Sequence, residues 1–299
     1  MGMEPESGLE GASFTVATDD TASAITEEMI LRFEEDGVLM LRGALDAEWL
    51  MLIEMGLARV MADSGMTKHK FFEGTRGEFQ ETVRNFDYSF EIRRLLYDSP
   101  IAATLGKFMR SEKVWYYSDE FFLKSAGGCE RTPWHQDTPY FPVAGNQLAS
   151  AWISLDRIPR AECLEFLRGS HVETMYDGFN PQKPEDPMSG YYGEGLPILP
   201  DIQSTRDQFP IIAWDVEPGD IIISSPSVIH GGGPTLAEGK RRALAVRAFG
   251  EDIVYAKRPP SRPTVPLTPG LGAHLKPGDP LRSPWYPQLL PPPPSEAYG

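Results

Sequence analysis

The sequence predicts a mainly β domain of the α+β class, a sandwich or barrel of short strands with helices flanking it. Three observations carry that expectation. From Lys113 onward, short β-rich runs alternate with Gly and Pro turns. Before that point, two stretches place apolar residues at helical spacing. The 299 residues are 41% hydrophobic and 24% charged, the composition of a globular chain that buries a core, which excludes disorder throughout.

The elements follow in order. Residues 1–24 are acidic and rich in Gly, Ser, Ala and Thr, so they are expected to form a disordered tail. They show no basic and apolar regions of a leader peptide. Thr26 is placed to cap a helix whose first turn holds Glu27 and Glu28 and whose apolar face is Met29, Ile30 and Phe33. After the turn at Asp36-Gly37, Val38 to Leu41 reads as a strand. Asp46 then caps a helix bearing Trp49, Leu50, Ile53, Leu57, Val60 and Met61. Glu54 and Arg59 interrupt it, and it is too short to span a membrane. A polar region holding Lys68, Lys70, Arg76 and Arg84 leads to a second helical stretch, roughly Tyr88 to Met109. Seven strand runs follow: Val114–Leu123, Pro133–Pro139, Leu148–Leu155, Cys163–Leu167, Ile211–Trp214, Asp220–Ser224 and Arg242–Gly250. Between the fourth and fifth, residues 172–210 have few strand signals and are expected to be a lid. Residues 259–299 hold 13 of the 28 prolines and are expected to be an extended tail that wraps the surface or dangles. A single domain is therefore drawn over residues 25–258.

Charge narrows the partners. With 28 Lys and Arg against 43 Asp and Glu, the chain carries a formal charge of −15 and is repelled by phosphate backbones and anionic lipid. Neither nucleic acid nor a membrane is expected as a partner; a small-molecule substrate is, and the oligomeric state is left open. Cys129 and Cys163 make neither a disulfide framework nor a metal motif, which fits a reducing, cytoplasmic setting.

The segment Trp134-His135-Gln136-Asp137 carries the chemistry. On a strand, residues two apart share a face, so His135 and Asp137 would present an imidazole and a carboxylate toward one point. His230, in Ile229-His230-Gly231-Gly232-Gly233, offers a third ligand. The separation, 230 − 135 = 95 residues, is enough to cross a small jelly-roll barrel. Two His and one carboxylate leave three positions of an octahedral ion open, the arrangement of non-haem Fe(II) oxygenases. The plain alternative is a hydrogen-bonded His–Asp couple. On the strand after His230, Arg241, Ala243 and Ala245 share one face, with room beside Arg241 for bidentate capture of a carboxylate. The opposite parity would put Arg241 on the solvated face and Arg242 inside.

At these residues the sequence resembles the phytanoyl-CoA dioxygenase-like branch of the Fe(II)/2-oxoglutarate oxygenases. The resemblance runs from about Ile25 to Glu251. Its motifs are Ile25-Thr26-Glu27-Glu28 through Gly37, Trp134-His135-Gln136-Asp137, Ala151-Trp152, Gly169-Ser170-His171, Gly219-Asp220, and His230-Gly231 followed 11 residues later by Arg241. It implies a double-stranded β-helix (jelly-roll, cupin-like) core. It implies Fe(II) held by His135, Asp137 and His230, with 2-oxoglutarate anchored by Arg241, and O2 as the oxidant. It also implies Trp152 and Lys124 in the cosubstrate pocket, with His171, His69 and His274 outside the ligand set. The chain departs from the family pattern at Ala161-Glu162-Cys163-Leu164 and Arg168-Gly169-Ser170-His171, where Glu162 and Arg168 either face each other near the pocket mouth or lie on the surface.

The expected activity is oxidation, chiefly hydroxylation, of an unactivated C–H in a small organic metabolite, coupled to decarboxylation of 2-oxoglutarate to succinate and CO2. Asp137 argues against halogenation, because related halogenases lack that carboxylate; desaturation, epoxidation and ring closure stay open. Tyr140, Phe141, Trp134 and the lid aromatics Tyr176, Phe179, Tyr191 and Tyr192 suit a substrate with apolar surface. Three alternatives stand beside this reading: an acyl-CoA 2-hydroxylase of the same family, a cupin-type metalloenzyme without 2-oxoglutarate, and a non-catalytic scaffold using the proline-rich tail.

Overall fold

A computed structural model describes residues 11–16, 21–66, 68–71, 77–125, 127–172, 174–180, 183, 186, 188–236, 239–266, 268 and 270–294. Arg76 and the outermost parts of both expected tails lie outside these residues. The chain opens with β1 (Ser13–Thr15), α1 (Glu27–Asp36), β2 (Val38–Arg42), α2 (Ala47–Ala62), β3 (Lys68–Phe71) and β4 (Phe79–Val83). Helices α3 (Phe90–Asp98) and α4 (Ile101–Phe108) follow, then β5 (Val114–Lys124), β6 (Thr132–His135), β7 (Val143–Ala144), β8 (Leu148–Ser154) and β9 (Leu164–Leu167). The remainder comprises β10 (Ile211–Ile212), β11 (Ile221–Ser224), β12 (His230–Gly232), β13 (Arg241–Phe249), β14 (Val254–Tyr255), α5 (Leu271–His274) and β15 (Gln288–Leu290).

The helices begin where the caps predict. Thr26 accepts from Met29 N, and Asp46 accepts from Glu48 N and Trp49 N. α1 stops at Gly37, whose left-handed φ of 76° lets its N–H return to Phe33 O. The single stretch expected over Tyr88–Met109 is two helices. Ser89 caps α3, and the chain breaks at Ser99-Pro100, because proline has no N–H to continue the ladder.

Among the described residues the strands form two facing sheets and a small separate pair, β7 with β14. The larger runs β1-β2-β11-β8-β13-β5-β4-β3, with β15 joined to β5; the smaller runs β10-β9-β12-β6. Helices α1 to α4 cover the outer face of the large sheet, burying Phe33, Ile53, Leu57, Leu95 and Leu105 with Leu39, Ile153 and Leu244. Val38, Met40, Trp152, Ile222 and Ala243 on its inner face meet Phe166, Trp214 and Val228 of the small-sheet side. The site lies between the sheets.

Both expected tails need correction. Ser13–Thr15 pairs in parallel with Met40–Arg42, so part of the N-terminal segment belongs to the large sheet. At the other end, Leu281, Tyr286 and Leu289 are buried and Gln288–Leu290 pairs with the start of β5. Proline content misled because Pro280, Pro284, Pro287 and Pro291 lie between and beside the apolar residues without preventing Leu281, Tyr286 and Leu289 from packing. Among the described residues, no helix is long and apolar enough to cross a membrane.

Candidate active site

The strand parity of β13 decides what enters the cavity. Arg241, Ala243, Ala245 and Arg247 alternate onto the inner face, opposite Lys124, Phe122, Glu120 and Ser118 of β5, and Ala245 lies opposite Trp152 of β8. Arg242 points outward, held by Asp156 and Glu54. A cavity of about 260 Å³ opens above this face. Its walls include His135, Asp137, His230, Arg241, Arg247 and Trp152, with Phe179 and Tyr191 from the segment between β9 and β10 and the C-terminal Val265.

His135 and His230 are direct partners in the antiparallel pairing of β6 with β12, and their rings lie 4.3 Å apart between centroids. Each is fixed at its far nitrogen. His135 Nδ1 is 2.8 Å from Pro133 O and His230 Nδ1 is 3.1 Å from Val228 O, so Nδ1 donates and the Nε2 lone pair faces the cavity. Phe166 stacks beneath His230, and Phe179 meets His135 edge-on.

Asp137 joins them by a route that differs from the expected one. The strand ends at His135, and Asp137 has helical φ and ψ of −80° and −35° at the head of a turn over Thr138–Tyr140. Its N–H donates to Pro226 O at 2.8 Å, the same carbonyl that takes Thr138 N–H, so the turn is tied to the segment leading into β12. Gln136 adds to the lacing by donating to Ser227 O and Thr174 O and accepting from Tyr176 N. Ser170 accepts from Ile229 N and donates to Leu167 O, fixing the approach to His230 from β9. Asp137 Oδ1 then lies 3.4 Å from His135 Nε2 and 3.8 Å from His230 Nε2.

One cation holds the carboxylate in that orientation. Arg247 donates to Asp137 Oδ2 from Nε at 3.0 Å and Nη2 at 2.8 Å, and to Glu120 Oε2 from Nη1 at 2.6 Å. Burial opposes ionisation of Asp137, but Arg247 and the two imidazoles overcome it and hold the carboxyl far below the usual carboxylate range. Burial, then the neighbouring His135, pushes His230 down to about 4, which keeps a lone pair available at neutral pH. Sequence reasoning missed Arg247 and Glu120, although Arg247 has the same parity as Arg241.

The donor atoms of His135, Asp137 and His230 lie within 4.8 Å of one another. Two imidazoles and one ionised carboxylate on one side of a point fit a divalent transition metal with positions left open. Arg241 is buried at the other end of the cavity, donating from Nη1 to Glu162 O at 2.6 Å and passing Gly232, whose added Cβ would lie 3.1 Å from Nη2. Lys124 sits opposite Arg241 but does not line the cavity. Its Nζ donates to the carbonyls of Glu130 and Gly233, and burial, then Arg241, pushes its pKa down to about 7. Glu162 and Arg168 do not meet. Glu162 accepts from Leu236 N, while Arg168 reaches toward Asp36. His171 bonds Glu34 O, away from the triad.

Fold and site together define a double-stranded β-helix in which two histidines and one aspartate converge on one point. The model of the phytanoyl-CoA dioxygenase (PhyH) family matches residues 33–243. The chain belongs to that family. A probable phytanoyl-CoA dioxygenase of Caenorhabditis elegans is 30% identical over 125 residues, which are 41% of this chain and 38% of that protein. The chain thus aligns with less than two-fifths of that relative's length. Among solved structures, the non-heme alpha ketoglutarate dependent carbocyclase SnoK from nogalamycin biosynthesis superposes with a TM-score of 0.69 at 20% identity, covering 90% of this chain and 98% of SnoK. The epimerase SnoN, solved in complex with Fe3+, alpha ketoglutarate and nogalamycin RO, gives 0.66 at 21% identity, covering 88% and 98%. The jelly-roll expectation is borne out by these folds.

Proposed function

We propose that the protein is a non-haem Fe(II)/2-oxoglutarate-dependent dioxygenase that hydroxylates an unactivated C–H of a small organic metabolite. The observation that carries this reading is the convergence of His135 Nε2, His230 Nε2 and Asp137 Oδ1, with a buried guanidinium, Arg241, lining the same cavity. The three ligands would hold Fe(II), as the SnoN complex holds Fe3+. Bound there, iron supplies the redox chemistry that couples O2 and 2-oxoglutarate to oxidation of a C–H bond.

The chain's own residues supply geometry. Arg241 receives the far carboxylate of 2-oxoglutarate, over the small side chains of Ala243 and Ala245 and beside Trp152. Lys124 lies behind it, donating to the carbonyls of Glu130 and Gly233 rather than touching the cosubstrate. Phe179 and Tyr191, with Tyr140 beneath them, keep bulk water from the reacting face. A small metabolite is favoured over an acyl-CoA because the cavity's two guanidiniums, Arg241 and Arg247, are both engaged within the site, and the −15 chain offers no obvious basic patch for a nucleotide. The two buried free thiols, Cys129 and Cys163, suit a reducing cytoplasm.

Anaerobic addition of Fe(II) and 2-oxoglutarate is expected to produce the visible charge-transfer band of the chelate, and admission of O2 to release succinate. His230→Ala abolishes the band, and Arg241→Ala raises the 2-oxoglutarate concentration needed to form it. Folded wild-type protein that gives no band overturns the proposal. Activity that survives Arg241→Ala unchanged points instead to a metalloenzyme that does not use 2-oxoglutarate.

A further inference from the structure

Glu81 is the cavity's unassigned carboxyl group. It lies on β4 opposite Phe122 of β5, with Phe79 and Val83 before and after it on the same strand face. Its carboxylate takes no hydrogen bond and no ion pair from any described residue. His69, its partner across β3 and β4, is exposed and forms no ion pair with it. The nearby cations are engaged elsewhere. Arg247 holds Asp137 and Glu120, Lys124 donates to two carbonyls, and Arg241 donates to Glu162 O.

Charge balance makes this informative. When the cavity holds a divalent ion and a dicarboxylate, those two charges cancel, and Arg241 and Arg247 offset Asp137 and Glu120. Lys124, its pKa pushed down to about 7, commits its Nζ to two carbonyls and does not line the cavity, so Glu81 is left without a cation of its own. Burial, then the Glu120 carboxylate, raises its pKa to about 8, so Glu81 is largely protonated in the empty cavity at neutral pH and ionises when a cation arrives to pair with it. Around it the wall is aromatic, with Phe79 and Phe122 beside it and Tyr140 and Phe141 lining the same cavity. A carboxylate among ring faces is the chemistry that recognises an ammonium group, by charge and by cation–π attraction.

We propose that Glu81 is the specificity residue of the cavity and that the substrate is an amine, a protonated nitrogen on an apolar body, whose nitrogen pairs with Glu81 while the body lies along the aromatic wall toward the triad. This rests on the dioxygenase reading and adds the substrate class. Glu81 touches substrate and does not touch the metal ligands, so its replacement changes selection rather than metal binding.

The test measures binding of benzylammonium, benzyl alcohol and benzoate by calorimetry to anaerobic protein loaded with Fe(II) and 2-oxoglutarate, and to metal-free protein. Wild type is expected to bind benzylammonium roughly tenfold more tightly than benzyl alcohol, with benzoate weakest. Glu81→Gln is expected to bring ammonium and alcohol within about twofold, while Glu81→Asp keeps part of the preference. Equal binding of ammonium and alcohol to wild type overturns the inference, as does a preference for benzoate or one that survives Glu81→Gln. The wild-type comparison decides the matter even where a variant does not fold. The charge-transfer band separates the two proposals. A band without amine preference removes this inference alone, whereas amine preference without a band removes the dioxygenase reading alone.

Discussion

Arg247 shows how much one side chain settles at this site. Both of its bonds to Asp137 fall on Oδ2, which leaves Oδ1 toward the imidazoles, and its third bond ties that orientation to Glu120 on the next strand. Arg247→Met is expected to lower Co(II) affinity by about 10- to 100-fold, because a ligand loses the partner that orients it. It also strands two buried carboxylates, so unfolding in urea should show a loss of about 3–5 kcal/mol. Arg247→Lys restores charge without the fork and should fall between; unchanged metal affinity in both would show that Asp137 orients itself. The parity of β13 made Arg241 legible in the sequence, and the same parity extends to Arg247. Asp137 was named for a partly mistaken reason. Its convergence on the histidines comes from a turn held by Pro226 O, a contact no local pattern encodes. Glu81 and Glu120 stayed unread because a strand's inward face is known only once its neighbours are.

At the scale of elements, β12 is built on close approach. A Cβ at Gly232 would lie 2.9 Å from Thr132 Oγ1 and 3.1 Å from Arg241 Nη2, and one at Gly233 would lie 2.7 Å from Cys163 O. Gly232→Ala should therefore displace the Arg241 guanidinium and raise the Kd for 2-oxoglutarate while Co(II) binding persists; equal loss of both would locate the damage in the strand itself. Gly233→Ala meets backbone and should cost about 1–3 kcal/mol in thermal or urea unfolding. The junction of α2 and α3 carries a pH signature. Arg59 grips Glu91, which Ser89 also bonds, and the Arg59 hydrogen bonds chiefly hold the Glu91 carboxyl at about 2, below its ordinary 4.5. Because the folded value is the lower one, the contribution is present above about 4.5 and fades as pH falls toward 2. Glu91→Gln should flatten the stability profile in that window, and an unaltered profile would remove Glu91 from the acid response. Helix starts were legible from Thr26 and Asp46, whereas the break at Ser99-Pro100 lay inside a stretch whose apolar spacing was continuous.

Across the whole molecule, residues expected to lie outside the domain complete it. Tyr286 stacks on Tyr117 at 5.6 Å and meets Phe249 edge-on, Leu289 joins the helical core, and Val265 reaches the cavity wall. Tyr286→Ala is expected to cost about 3–5 kcal/mol of stability in urea, shifting the midpoint without changing the slope. A shift under about 0.5 kcal/mol would mark the segment as loosely applied. The order of assembly follows from the same contacts. Tyr117 donates to Val265 O, 148 residues further along the chain. At ribosomal rates that interval lasts roughly 7 to 30 s, during which newly made β5 leaves the exit tunnel with Tyr117 unsheltered. The cavity thus lacks a wall, and Tyr117 lacks its hydrogen-bond acceptor, until translation has passed Val265.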